Sequence, residues 1–137
     1  MCDAIKKAYR YYFYRMYLFY FKKWNNNKKI ALFVADISMA SSFMFNFGTI
    51  VILLNVFLNV WILPDYRTHK FEMILAVLLI GAFYITFNTI FLINKLPEII
   101  DEFKNEDKNA FKTRGWIVGA YDICSFLLFA GIVLATV

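Results

Sequence analysis

The sequence predicts an all-α membrane protein: three transmembrane helices, an N-terminal interfacial amphipathic helix, and an amphipathic helix between spans two and three. Charge patterning gives the first indication. Ile37–Leu63 runs 27 residues and Met73–Asn94 runs 22 without a charge, and Gly115–Val137 runs 23 with only Asp122 interrupting. A hydrocarbon core about 30 Å thick needs about 20 apolar residues to cross it as a helix. Composition gives the second. Apolar residues make up 61% of the 137-residue chain and aromatics 20%, above the roughly one-half apolar content of soluble domains. The spans and their connections use nearly the whole length, so a single membrane domain, 1–137, is expected.

The leader, residues 4–24, reads AIKKAYRYYFYRMYLFYFKKW. At helical spacing Ile5, Tyr9, Tyr12, Phe13, Met16 and Tyr20 share one side, while Lys6, Lys7, Arg10, Tyr14, Arg15 and Lys22 take the other. A cationic–aromatic helix of this kind suits the membrane interface, rings at headgroup depth and cations toward phosphates. Lys6, Lys7, Arg10, Arg15, Lys22 and Lys23 are therefore the candidate contacts to anionic lipid headgroups. The alternative is a helix buried against a partner. Asn25-Asn26-Asn27 interrupts the pattern with residues that favour turns and caps.

Span one is expected over about 30–62, beginning before its uncharged core, with Asp36 near the inner boundary. Trp61 and Tyr66 mark the far interface, and Pro64-Asp65 ends the helix. The short connection to span two carries the lone His69, which reads as solvated. Span two covers 73–94. The following segment, KLPEIIDEFKNEDKNAFKTR, predicts an amphipathic cytoplasmic helix over 97–112. Pro97 suits a first helical turn, and acidic residues precede basic ones, the order a helix dipole favours. Asp107 interrupts its apolar stripe, and its early carboxylates are placed to meet Lys22 and Lys23. Span three covers 115–137.

Counting cations sets the expected orientation. Eight of fifteen Lys and Arg precede Ile30 and five fall in residues 95–114, against Arg67 and Lys70 between spans one and two. The positive-inside rule then places the N-terminus in the cytoplasm and the C-terminus on the opposite side of a cell membrane. The first apolar stretch is too long for a cleaved signal peptide and is expected to remain as a span. Nucleic-acid binding is the poorer reading of a basic leader so rich in aromatics.

Within span three, Gly115-Trp116-Ile117-Val118-Gly119 is a small-xxx-small pattern that lets helix backbones approach closely. Ala120, Cys124 and Gly131 lie on its other side, which suits a central position between two neighbours, and Gly81 is the small residue of span two. Asp122 lies about 10 Å inside the boundary, where ionisable groups usually face protein or water. Gly81, Tyr84 and Asn88 share a side of span two, and antiparallel packing brings Asn88 to the depth of Asp122. The two are expected to hydrogen-bond. Such a pair fixes helix register, belongs to an ion or proton path, or contacts a partner. Asn55 and Asn59, near the outer end of span one, read as interhelical contacts or a pore mouth.

Enzymatic signatures are absent: no HExxH, no Gly-rich phosphate loop, and no Cys or His cluster at metal spacing. No cofactor is implied. Cys2 and Cys124 should sit at different depths, so no disulfide framework is indicated.

The opening, Tyr9-Arg10-Tyr11-Tyr12-Phe13-Tyr14-Arg15 running into Lys22-Lys23-Trp24, resembles the start of small multi-pass inner-membrane proteins of bacteria. That resemblance implies a bacterial inner membrane, and membership of a group that includes immunity proteins and membrane defence effectors. The expected action is non-enzymatic helix–helix association, as a homo-oligomer or a small subunit of a membrane complex. The alternatives are an oligomeric pore or channel, and an immunity-type protein protecting against a membrane-directed toxin.

Overall fold

The computed structural model describes residues 2–58 and 70–136, and every described element is helical. Trp61, Pro64, Asp65, Tyr66, His69 and Asn59 lie outside the described residues, as does the side chain of Cys2.

Helix α1 (Cys2–Lys23) ends in the asparagine run. Asn25 and Asn26 adopt left-handed φ values of 49° and 62°, a conformation asparagine tolerates better than most residues. The Asn26 N–H reaches back to the Phe21 carbonyl at 2.9 Å, the backbone bond that closes a Schellman cap. Asn27 then opens α2 (Lys28–Leu58), its Oδ1 accepting from the Ile30 N–H at 3.2 Å. Two caps in four residues make a tight hairpin, and α1 folds back along α2.

The leader helix is packed within the protein, against α2. Phe13, Tyr14 and Tyr17 are buried, and Tyr14, assigned by spacing to the polar side, is enclosed. Ala31 and Ala35 of α2 are fully buried and let the aromatic helix approach closely.

Helix α2 occupies the centre. Ala31, Ala35, Met39, Ser42 and Thr49 form one buried stripe at helical spacing. Helix α3 (Lys70–Asn88) leans on it through Phe43 and Tyr84, stacked at 4.4 Å, and continues into a π-helical turn, Thr89–Ile93. Span three was expected at the centre, with neighbours on both sides. Instead its main contact among the spans is α2, through Phe45 against Phe126 and Phe129 at 5.4 and 5.5 Å. Gly48 explains the close approach: a Cβ there would meet the Phe129 ring at 2.7 Å.

The helix expected over 97–112 is two pieces. Helix α4 (Leu96–Phe103) buries Leu96, Ile99 and Phe103, and the chain then breaks before α5 (Lys108–Thr136). The reason lies in Asp107. Its carboxylate accepts from the N–H groups of Asn109 and Ala110 at 2.9 and 3.2 Å, capping the new helix. The residue that spoiled an apolar stripe is a helix start. Residues 108–114 therefore belong to the third long helix.

Three helical stretches are long and apolar enough to cross a membrane: Lys28–Leu58, Lys70–Ile93 and Lys108–Ala135. Gly48→Leu is expected to destabilise the chain by about 1–3 kcal/mol through forced displacement of Phe129. Gly81→Leu, where nothing lies within 4 Å of the added carbon, should leave it unchanged. Thermal unfolding in dilute mild detergent compares the two.

Candidate functional site

Most polar side chains that bond across the long helices lie toward one end of the bundle, and α1 joins them. Two junctions form there. At the first, Asn88 Nδ2 donates to Asp36 Oδ1 at 2.7 Å, linking α3 to α2. Tyr9 of α1 donates to Asn88 Oδ1, with its hydroxyl 2.9 Å from that of Tyr84. At the second, the Asp122 carboxylate of α5 accepts from Tyr12 of α1 and from Ser42 Oγ of α2, the latter at 2.6 Å. One turn further along α2, Asn46 Nδ2 approaches Tyr121 Oη at 2.7 Å and Ser125 Oγ at 3.1 Å. Tyr20 bonds Ser38 at 2.8 Å nearer the hairpin.

Asn88 and Asp122 therefore do not pair with each other as expected. Both are held, but by different partners. They do not meet because α2 packs against both of their helices and supplies its own polar groups. Asp36, expected at the boundary, is 6% exposed and Asn88 is fully buried. Asp36 and Asp122 share no hydrogen-bond partner among the described residues.

Charged residues surround this core with a second layer. Arg10 pairs with Glu102 at 3.0 Å, so the expected pairing of α4 carboxylates with Lys22 and Lys23 is replaced. Glu106 accepts from Tyr11 Oη and from Arg114, both at 2.7 Å. The Arg15 guanidinium lies 3.5 Å from the centre of the Phe111 ring and fills the space over Gly115. Arg10 and Arg15, expected at headgroups, are engaged within the protein. Lys6, Lys7, Lys22 and Lys23 are exposed.

Burial is the main influence on the leader tyrosines. It raises Tyr9 and Tyr12 above the ordinary phenol range, reinforced by their bonds to Tyr84 and Asp122. Tyr11 is pushed up to about 12, by burial first and by Glu106 second. Tyr14 and Tyr17 move the same way through burial.

The small residues fare differently. Gly115 meets the Arg15 side chain rather than another backbone, and Gly81, Gly119 and Gly131 face open space. Ala120 and Cys124 are exposed. Asn55 is half-buried, its Nδ2 without a partner among the described residues. Sequence reasoning missed the bond of Asp36 to Asn88, the part of Ser42, and the donor role of Tyr9 and Tyr12. The available signal was three hydroxyl side chains, 9, 12 and 20, on one side of a leader adjacent to spans that carry isolated polar residues.

Compared with known families, curated proteins and solved structures, the chain matches none. Its function is read from its own chemistry.

Asn88→Leu leaves Asp36 and Tyr9 without their shared partner and is expected to cost about 1–3 kcal/mol. Tyr20→Phe removes one bond to Ser38, and about 0.6 kcal/mol is expected. Melting temperatures in mild detergent test the ranking. Alkaline pH has a predictable sign. A tyrosine whose folded pKa lies above its ordinary value stabilises fully below the latter, near 10.0, and the contribution is lost as pH rises through about 12. The melting temperature should therefore fall above about pH 10, and Tyr11→Phe should make that fall shallower.

Proposed function

We propose that the chain is a non-enzymatic, multi-pass protein of the bacterial inner membrane that works by helix–helix association. It acts as a homo-oligomer or as a small subunit of a membrane complex. The observation that carries this reading is how little α5 uses its own chain. Only 6% of the apolar stretch of Lys108–Ala135 is buried within the protein, and 11% for Lys70–Ile93. Gly119 and Gly131 lie uncovered on α5, with Ala120 and Cys124 also exposed. Lipid tails are as apolar as these surfaces, so close packing at small residues, rather than hydrophobicity, is what another helix gains there.

The orientation proposed has the N-terminus and α4 in the cytoplasm and the C-terminus on the far side. The excess of cations before Ile30 and within 95–114 supports it. So does packing: the Arg10–Glu102 pair and the contact of Tyr11 with Phe103 at 5.1 Å keep the two basic segments at one end.

An oligomeric pore is the second reading, and a specific observation favours it. Thr49 Oγ1 and Asn55 Nδ2 are buried and lack partners among the described residues. Thr49 continues the polar line of Ser42 and Asn46 along α2, and Asn55 lies deeper, on another side of the helix.

Light scattering of the purified protein in mild detergent tests association. A mass above the monomer is expected, reduced by Gly119→Leu; a monomer at every concentration contradicts the proposal. Ion flux into liposomes holding only this protein tests the pore. Flux abolished by Asp122→Asn, with expression intact, supports it; no flux, or flux indifferent to that change, ends it.

A further inference from the structure

A cleft of about 800 Å³ opens between α1 and α3 at the charged end of the bundle, a volume within the roughly 300–1,000 Å³ of ligand-sized pockets. Its long wall is Ile80, Phe83 and Phe87 of α3 with Phe91 of the π-helical turn, and Phe43, stacked on Tyr84, also lines it. From Leu92 to Ile80 the wall extends about 18 Å, comparable to the roughly 15 Å depth of one hydrocarbon leaflet. Apart from the charged residues its polar lining is Tyr9 and Tyr84, whose hydroxyls lie 2.9 Å apart and bond each other, with Tyr9 also bonded to Asn88. The cleft therefore offers a polar solute or a peptide backbone little to bond. It offers an apolar wall with charge at one end.

That charge is positive. Lys6 and Lys95 sit at the mouth, both exposed, and neither makes an ion pair among the described residues. Arg10 lines the same rim but is engaged by Glu102. Glu98 is the one carboxylate of the lining. We propose that this cleft holds an acyl chain of one anionic phospholipid against the α3 wall, with its phosphate at Lys6 and Lys95. The inference rests on the membrane placement argued above but not on association. It differs from diffuse attraction to headgroups because it assigns one bound molecule to two lysines, and excludes Lys22 and Lys23 at the other end of α1. A net-negative headgroup is preferred over a zwitterionic one, whose own ammonium competes with the lysines for the phosphate.

The test uses the full chain in mild detergent, delipidated and offered equal amounts of phosphatidylglycerol and phosphatidylcholine with matched acyl chains. Native mass spectrometry counts the lipids retained. One phosphatidylglycerol per chain is expected, on the order of tenfold preferred over phosphatidylcholine. Lys6→Gln/Lys95→Gln should abolish the preference and Lys22→Gln/Lys23→Gln should preserve it. Ile80→Trp, which fills the wall, should lower retention of both lipids. Equal retention of the two lipids by the unaltered protein overturns the proposal, as does retention of neither. Equal loss of preference in both lysine pairs also overturns it. The unaltered protein decides the matter even where a variant fails to fold. Recovery of the chain from cell lysate without detergent would instead refute the membrane placement itself.

Discussion

The structure depends on polar groups inside apolar helices being satisfied by one another. In hydrocarbon there is no water to bond a buried amide or carboxylate, and a stranded polar group is expensive. Asp36, Asn88, Ser42 and Asp122 meet this constraint by pairing across helices, and Tyr9 and Tyr12 complete the pairing from α1. The leader helix is thus the common partner of all three spans. Without it, α3 and α5 would share only α2, and two of their polar groups would lose donors.

The same arrangement accounts for the composition of the leader. A phenol combines a large apolar ring with one hydroxyl, so it fills space between helices and still reaches a polar partner at its tip. Tyr9, Tyr12 and Tyr20 do this toward the spans, while Tyr11 and Tyr14 pack on Phe103 of α4. The arginines are divided from the lysines by chemistry. Arg10 and Arg15 find a carboxylate and an aromatic face within the protein, as the planar, weakly hydrated guanidinium does readily. The flexible, strongly hydrated lysines stay outside.

Much of the helical architecture was legible in the sequence, because a helix long and apolar enough to cross a membrane shows as a long run of residues. The three apolar stretches, the asparagine turn and the proline before α4 all signal locally. What escaped was set by tertiary contact. Periodicity put Tyr14 on the polar side, yet α4 closes over it. Asp107 looked like a flaw in one helix because a stripe analysis cannot distinguish a defect from a cap. Asn88 and Asp122 were singled out as polar groups in need of partners, but those partners depend on which helix is central, and small residues alone pointed to the third span. The central helix carries Ala31 and Ala35 at the same spacing as GxxxG but with alanine in place of glycine, a commoner pattern in helices, and Ser42 and Gly48 lie further along.

The central claim is that the leader is an integral member of the bundle rather than a peripheral attachment. Amide hydrogen exchange of the detergent-solubilised protein, resolved by peptide, measures this directly. The account predicts protection over Tyr9–Tyr20 equal to that of the facing stretch of α2, Ala31–Ser42. Rapid exchange through the leader, with the three long helices still protected, would contradict it.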